Sequence, residues 1–71
     1  MNSIKTNDIL MTINTLVNLS VDILKDIEYL ETKKAEGELS DSEYQDLYHA
    51  NEYYNAISKT VRYLETINRV Q

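Results

Sequence analysis

The sequence predicts an all-α protein: two long antiparallel helices joined by one tight turn. Three observations carry this. Apolar residues recur at alternating spacings of three and four along two stretches, the signature of a helix buried on one side. The only glycine, Gly37, stands between those stretches. The 71 residues contain no proline, which would cost a helix interior roughly 3 kcal/mol at each occurrence.

Residues 1–6 read as a lead-in. Thr6 or Asn7 suits an N-cap, and Asp8 complements the helix dipole. A first helix is expected over about residues 7–36. Its seam is Ile9, Ile13, Leu16, Ile23, Ile27 and Leu30, with Ser20 as the polar interruption. A second row, Leu10, Val17 and Leu24, runs beside the seam, and Leu19 and Val21 widen the apolar surface. That face is wider than one partner helix covers, since a coiled-coil seam needs only two positions in seven. From Ile9 to Val21 the chain carries no charge, and its polar residues there are Thr12, Asn14, Thr15, Asn18 and Ser20. The neutral character predicts that another chain partly encloses this half. From Lys25 to Glu38 the sequence becomes charge-rich and reads as an exposed helix end.

The turn is expected over residues 37–40. Gly37 suits the left-handed position that ends a helix, because it has no Cβ to clash. Ser40 and Glu43 have the spacing of a capping box, in which each side chain accepts from the other's backbone N–H. Leu39 and Tyr44 stand at the positions of a hydrophobic staple. The second helix is expected over about residues 41–69. Its seam is Leu47, Ala50, Tyr54, Ile57, Val61 and Leu64, with Ile67 and Val70 continuing the apolar surface.

Residues 1–71 thus make one small helical domain. A lone hairpin of this size has a stability balance near zero without disulfides or metal. The sequence therefore predicts a homodimer, two hairpins forming a four-helix bundle, with self-association through Leu10, Val17, Val21 and Leu24. A kinked three-helix monomer, broken near Asn18–Ser20, is the structural alternative.

Composition narrows the function. Twelve acidic and seven basic residues give a net charge of −5, which argues against direct nucleic-acid binding through a basic surface. It permits a basic protein partner or mimicry of nucleic acid. The absence of cysteine excludes thiolate metal sites and thiol nucleophiles. No secretory signal is visible, and the uncharged stretch is too short and polar to span a bilayer, so a cytoplasmic location is expected. Asp46, His49 and Glu52 lie roughly along one ridge, but nothing in the first helix completes a metal site, and no metal or cofactor is expected. Carboxylates such as Glu28 and Glu31 lack a concave setting that would separate their pKa values. No phosphate loop or nucleotide motif is present, and the chain reads as non-enzymatic.

Six tyrosines stand out. Tyr54 belongs to the seam. Tyr44, Asp46, Tyr48 and Glu52 are the candidate partner-binding residues, since tyrosine gives a large rigid contact area with a polar tip. The Ile-, Asn-, Lys- and Tyr-rich composition suits an AT-rich genome, and a small acidic domain suits a phage or mobile-element gene. These point to an inhibitor of a host protein, of the anti-defence or anti-CRISPR type. A structural or assembly subunit is a further alternative.

The run Glu38-Leu39-Ser40-Asp41-Ser42-Glu43, followed by Leu47-Tyr48, Ala50, Glu52 and Ala56, resembles the middle of the Hha/YmoA family. Those small helical proteins modulate nucleoid-associated silencing proteins. The resemblance covers about a quarter of the chain and implies that Glu52 is the acid contacting a basic partner. The first helix is longer here, and the family's basic character is missing. By this resemblance the chain would be a transcriptional modulator.

Overall fold

The two seams fold onto each other as an antiparallel αα-hairpin in the computed structural model, which describes residues 6–70. The expected lead-in before Thr6 lies outside the described residues. Helix α1 spans Thr6–Ala35 and α2 spans Asp41–Val70. The rod measures 55 × 15 × 15 Å. Helix α1 runs unbroken through Asn18–Ser20. Ser20 donates its hydroxyl to the Val17 carbonyl at 2.7 Å, so the polar interruption in the seam is satisfied within its own helix.

Every residue of the two expected seams is buried or half-buried. The tightest packing lies near the turn, where Ile27, Leu30 and Leu47 form a buried cluster. Ile23, Leu39, Ala50 and Tyr54 pack against it. Continuing the alternation of three and four away from the turn sets Ser20 level with Ile57 and Ile9 level with Asn68. Ile9 is buried at this open end. The Asn68 side-chain oxygen there is shielded from solvent and has no hydrogen-bond partner among the described residues.

The turn is built from two interlocked caps. Gly37 has φ +73°, the left-handed conformation that its missing Cβ allows. Its N–H donates to the Lys34 carbonyl at 3.0 Å, and the Glu38 N–H donates to the Lys33 carbonyl at 2.9 Å. This pair of bonds is a Schellman motif, and it satisfies carbonyls that the end of α1 would leave open. The Ser40 N–H then donates to Glu43 Oε1 at 3.1 Å, while the Glu43 N–H donates to Ser40 Oγ at 3.2 Å. Both halves of the capping box are therefore made. Leu39 turns inward onto the core cluster, whereas Tyr44 stays exposed.

Three variants test the caps and the core. Ser40→Ala removes one half of the capping box and is expected to cost about 1 kcal/mol in thermal or chemical unfolding. Gly37→Ala is expected to cost about 1 kcal/mol as well, from the left-handed backbone alone. Nothing lies within 4 Å of the added Cβ, so no steric clash contributes. Leu47→Ala should cost more than either, about 2–4 kcal/mol, because Leu47 is 5% exposed at the centre of the core cluster.

Candidate functional site

The turn-proximal half of the hairpin concentrates charge. Residues 25–52 hold nine carboxylates and three cations, while the rest of the chain holds three carboxylates and four cations. One end of the rod is therefore strongly acidic and the other nearly neutral. The turn causes this, since it folds the acidic end of α1 beside the acidic start of α2.

A groove of about 360 Å³ lies between the helices at the acidic end. Leu30 and Ala50 line it along the seam, with Tyr29, Asp26, Glu43 and Asp46 around them. Glu43 is paired. Lys33 Nζ donates to its Oε2 at 2.6 Å, the only ion pair among the described residues. Both side chains are about one-quarter exposed, at 27% and 25%. Lys33 Nζ also sits 5.7 Å from the centre of the Tyr29 ring. The hydrogen bond from Lys33 holds the Glu43 carboxyl below its ordinary value, helped by the Ser40 backbone N–H. The same bond raises the Lys33 ammonium above its ordinary value. Asp26 and Asp46 are left as the exposed carboxylates of this groove. An open, acidic groove with a tyrosine at its side suits a cationic side chain.

The four partner-binding candidates do not share one face. Successive residues of a helix turn by about 100°, so Tyr44, Tyr48 and Glu52 follow one gently winding row. Asp46 lies two residues from both tyrosines and so projects from the opposite flank, into the groove. All four are exposed, and Tyr48 is 62% exposed. His49 ties the flanks together. Its ring meets Tyr48 edge-on at 5.6 Å and stacks with Tyr53 at 6.4 Å. The helix thus presents a connected aromatic patch, Tyr48–His49–Tyr53, outside the seam. His49 has aromatic neighbours, and among the described residues no group of three His, Asp or Glu side chains converges to hold a metal ion. No described helix is long and apolar enough to cross a membrane.

The residues expected to self-associate, Leu10, Val17, Val21 and Leu24, are all exposed on α1. Glu28 and Glu31 are exposed and project away from the seam. Sequence reading missed the Lys33–Glu43 pair and the groove. The available signal was the position of Lys33 in the last turn of α1 and Glu43 in the first turn of α2, which the short connection brings together.

No family model, curated protein or solved structure matches the chain.

The ion pair makes a pH prediction. A depressed carboxyl pKa contributes stability that is fully present above the ordinary value of 4.5 and is lost as pH falls through the lower folded value. The raised ammonium contributes stability present below 10.5 and lost as pH rises through its higher folded value. Denaturant midpoints should therefore fall at both extremes and hold between them. Lys33→Met should flatten part of the acid limb, since the Ser40 contacts to Glu43 remain.

Proposed function

We propose that this chain is a non-enzymatic protein-interaction module that occupies a basic surface on a partner protein. The observation that carries this reading is the coincidence of charge and exposed aromatics at one end of the hairpin. Tyr29, Tyr44 and Tyr48 are exposed within the same half that holds nine of the twelve carboxylates, and exposed Tyr53 borders it. Acids steer a basic partner and set orientation, and tyrosines supply buried contact area once it docks. Large apolar side chains left in solvent outnumber those in the core, which supports a surface meant to be covered. With the AT-rich-genome composition, the reading becomes a phage or mobile-element inhibitor of a host protein, acting in the host cytoplasm as an anti-defence or anti-CRISPR factor. It works by competing for a basic groove.

The exposed position of Glu52 on the outer side of α2 also supports an Hha-like modulator, in which that acid meets a nucleoid-associated protein. The two readings divide on the identity of the basic protein and on how much depends on Glu52 alone. A structural subunit would instead self-associate into larger assemblies.

The test is affinity capture from host lysate with wild-type protein and the Tyr48→Ala, Glu52→Lys double variant. Wild type is expected to retain a basic protein, with retention falling as salt rises. Each substitution should cost about 2 kcal/mol or more if its position is a hot spot. Circular dichroism should show unchanged helix content, because both side chains lie off the seam. Retention by the double variant at wild-type strength would remove the tyrosine row from the interface. Selective loss with Glu52→Lys and recovery of a nucleoid protein would favour the modulator.

A further inference from the structure

Helix α1 carries a second seam that the hairpin does not use. Leu10, Asn14, Val17, Val21 and Leu24 recur at spacings of four, three, four and three, each one residue after a member of the seam that faces α2. One residue is about 100° around the helix, so the second seam faces a direction roughly perpendicular to α2. That is the angular separation between two neighbours in a four-helix arrangement. Its apolar members are between 39% and 49% exposed. The stripe is about 21 Å long at 1.5 Å per residue. A sustained alternation of three and four fits another helix by knobs-into-holes packing rather than a flat surface.

We propose that this seam binds the same seam of a second copy, with the two α1 helices antiparallel about a twofold axis near Val17. Two observations support that occupant. The stripe is nearly symmetric about Val17, since Leu10 and Leu24 each lie seven residues away, and an isologous contact requires such self-complementarity. None of the five stripe residues is charged, and Asp22, the one charge within their span, lies on another face of the helix, so the stripe offers nothing for a basic or acidic partner to read.

Charge decides the orientation. The seam ends at Leu24, and the acidic half begins at Lys25. A parallel pair would lay two acidic halves side by side along their length. An antiparallel pair overlaps only the nearly neutral open ends and projects the acidic turns outward in opposite directions. Each turn lies about twenty residues from the axis, so the two tips stand roughly 60 Å apart. Asn14 is the polar member of the seam, the kind of residue that limits pairing to one register. Helix α2 also carries an uncharged row outside its seam, Tyr53, Ala56, Thr60, Tyr63, Ile67 and Val70, but Tyr53, Tyr63 and Val70 are 61–79% exposed and its largest side chains are tyrosines rather than aliphatics, unlike the α1 stripe. The contact is therefore α1 against α1, and it does not depend on the function proposed for the acidic end.

Sedimentation and crosslinking test this. Wild type at micromolar concentration should sediment as two chains, and Val17→Asp should weaken association at least tenfold with helix content unchanged by circular dichroism. The chain has no cysteine, so single cysteines report on orientation. Under mild oxidation a mixture of Leu10→Cys and Leu24→Cys chains should form the mixed disulfide, while Leu24→Cys alone should stay largely uncrosslinked. This readout stands even if Val17→Asp fails to fold. A monomeric wild type would assign the stripe to a different protein and overturn the proposal. Efficient self-crosslinking of Leu24→Cys would overturn the antiparallel arrangement, and assemblies larger than two chains would overturn the closed pair.

Discussion

The turn is the constraint on which the rest of this molecule depends. Two helices in contact along one seam can slide past each other in steps of a turn or a heptad, and each slip trades one set of apolar pairs for another. The interlocked caps remove that freedom. Gly37 ends α1, three residues later Ser40 opens α2, and both ends have their backbone groups satisfied. Lys33 and Glu43 then join the two caps through their side chains. Lys33 supplies the carbonyl of the Schellman motif and the ammonium of the ion pair. Glu43 supplies half of the capping box and the carboxylate of that pair. One short segment therefore sets both the register of the seam and the place where the charges gather.

Two helices can bury only one stripe each, and this chain carries more apolar surface than that. Among the described residues four hydrophobic side chains, Ile9, Ile27, Leu30 and Leu47, are buried, and the last three form the cluster nearer the turn. Apart from Ile9, the middle and open end of the hairpin rely on half-buried contacts. The surplus has a pattern. On α1 it forms a second uncharged stripe, and on α2 it is largely aromatic and is mixed with acids near the turn. A helix surface exposed by accident would show neither a sustained spacing nor this segregation.

Much of the fold was legible because helix periodicity is local. Spacings of three and four identified the seam residues of both helices, and Gly37 with Ser40 and Glu43 identified the turn from neighbouring residues. What escaped reading depended on contacts across the turn. Lys33 and Glu43 are ten residues apart, and the charge-rich end of α1 read as solvated until the turn placed a carboxylate opposite. Grouping Asp46 with Tyr44 and Tyr48 followed nearness in sequence, but two residues on a helix amount to about 200° of rotation. Asp46 therefore shares a groove with Asp26 and Tyr29 of the other helix.

The separation of charge from apolar surface along the rod has a consequence for how the two surfaces work together. An acidic patch beside a self-associating seam would resist its own assembly, because pairing would bring like charges together in a region losing solvent. Here Asp22, the one carboxylate within the span of the seam, lies on another face of α1, and the acids of the turn end begin at Asp26, so pairing need not bury a carboxylate. A pair formed through α1 would hold two acidic, tyrosine-bearing tips on one stiff body. Two linked sites raise the effective concentration of the second contact only when the spacing between them is fixed within reach of the target. The unbroken helix through Asn18–Ser20 supplies that stiffness, since a bend there would let the tips swing independently. On the proposed reading, the continuity of α1, the neutrality of its first half and the crowding of acids near the turn would serve one arrangement, in which assembly and partner binding occupy opposite ends of the same hairpin.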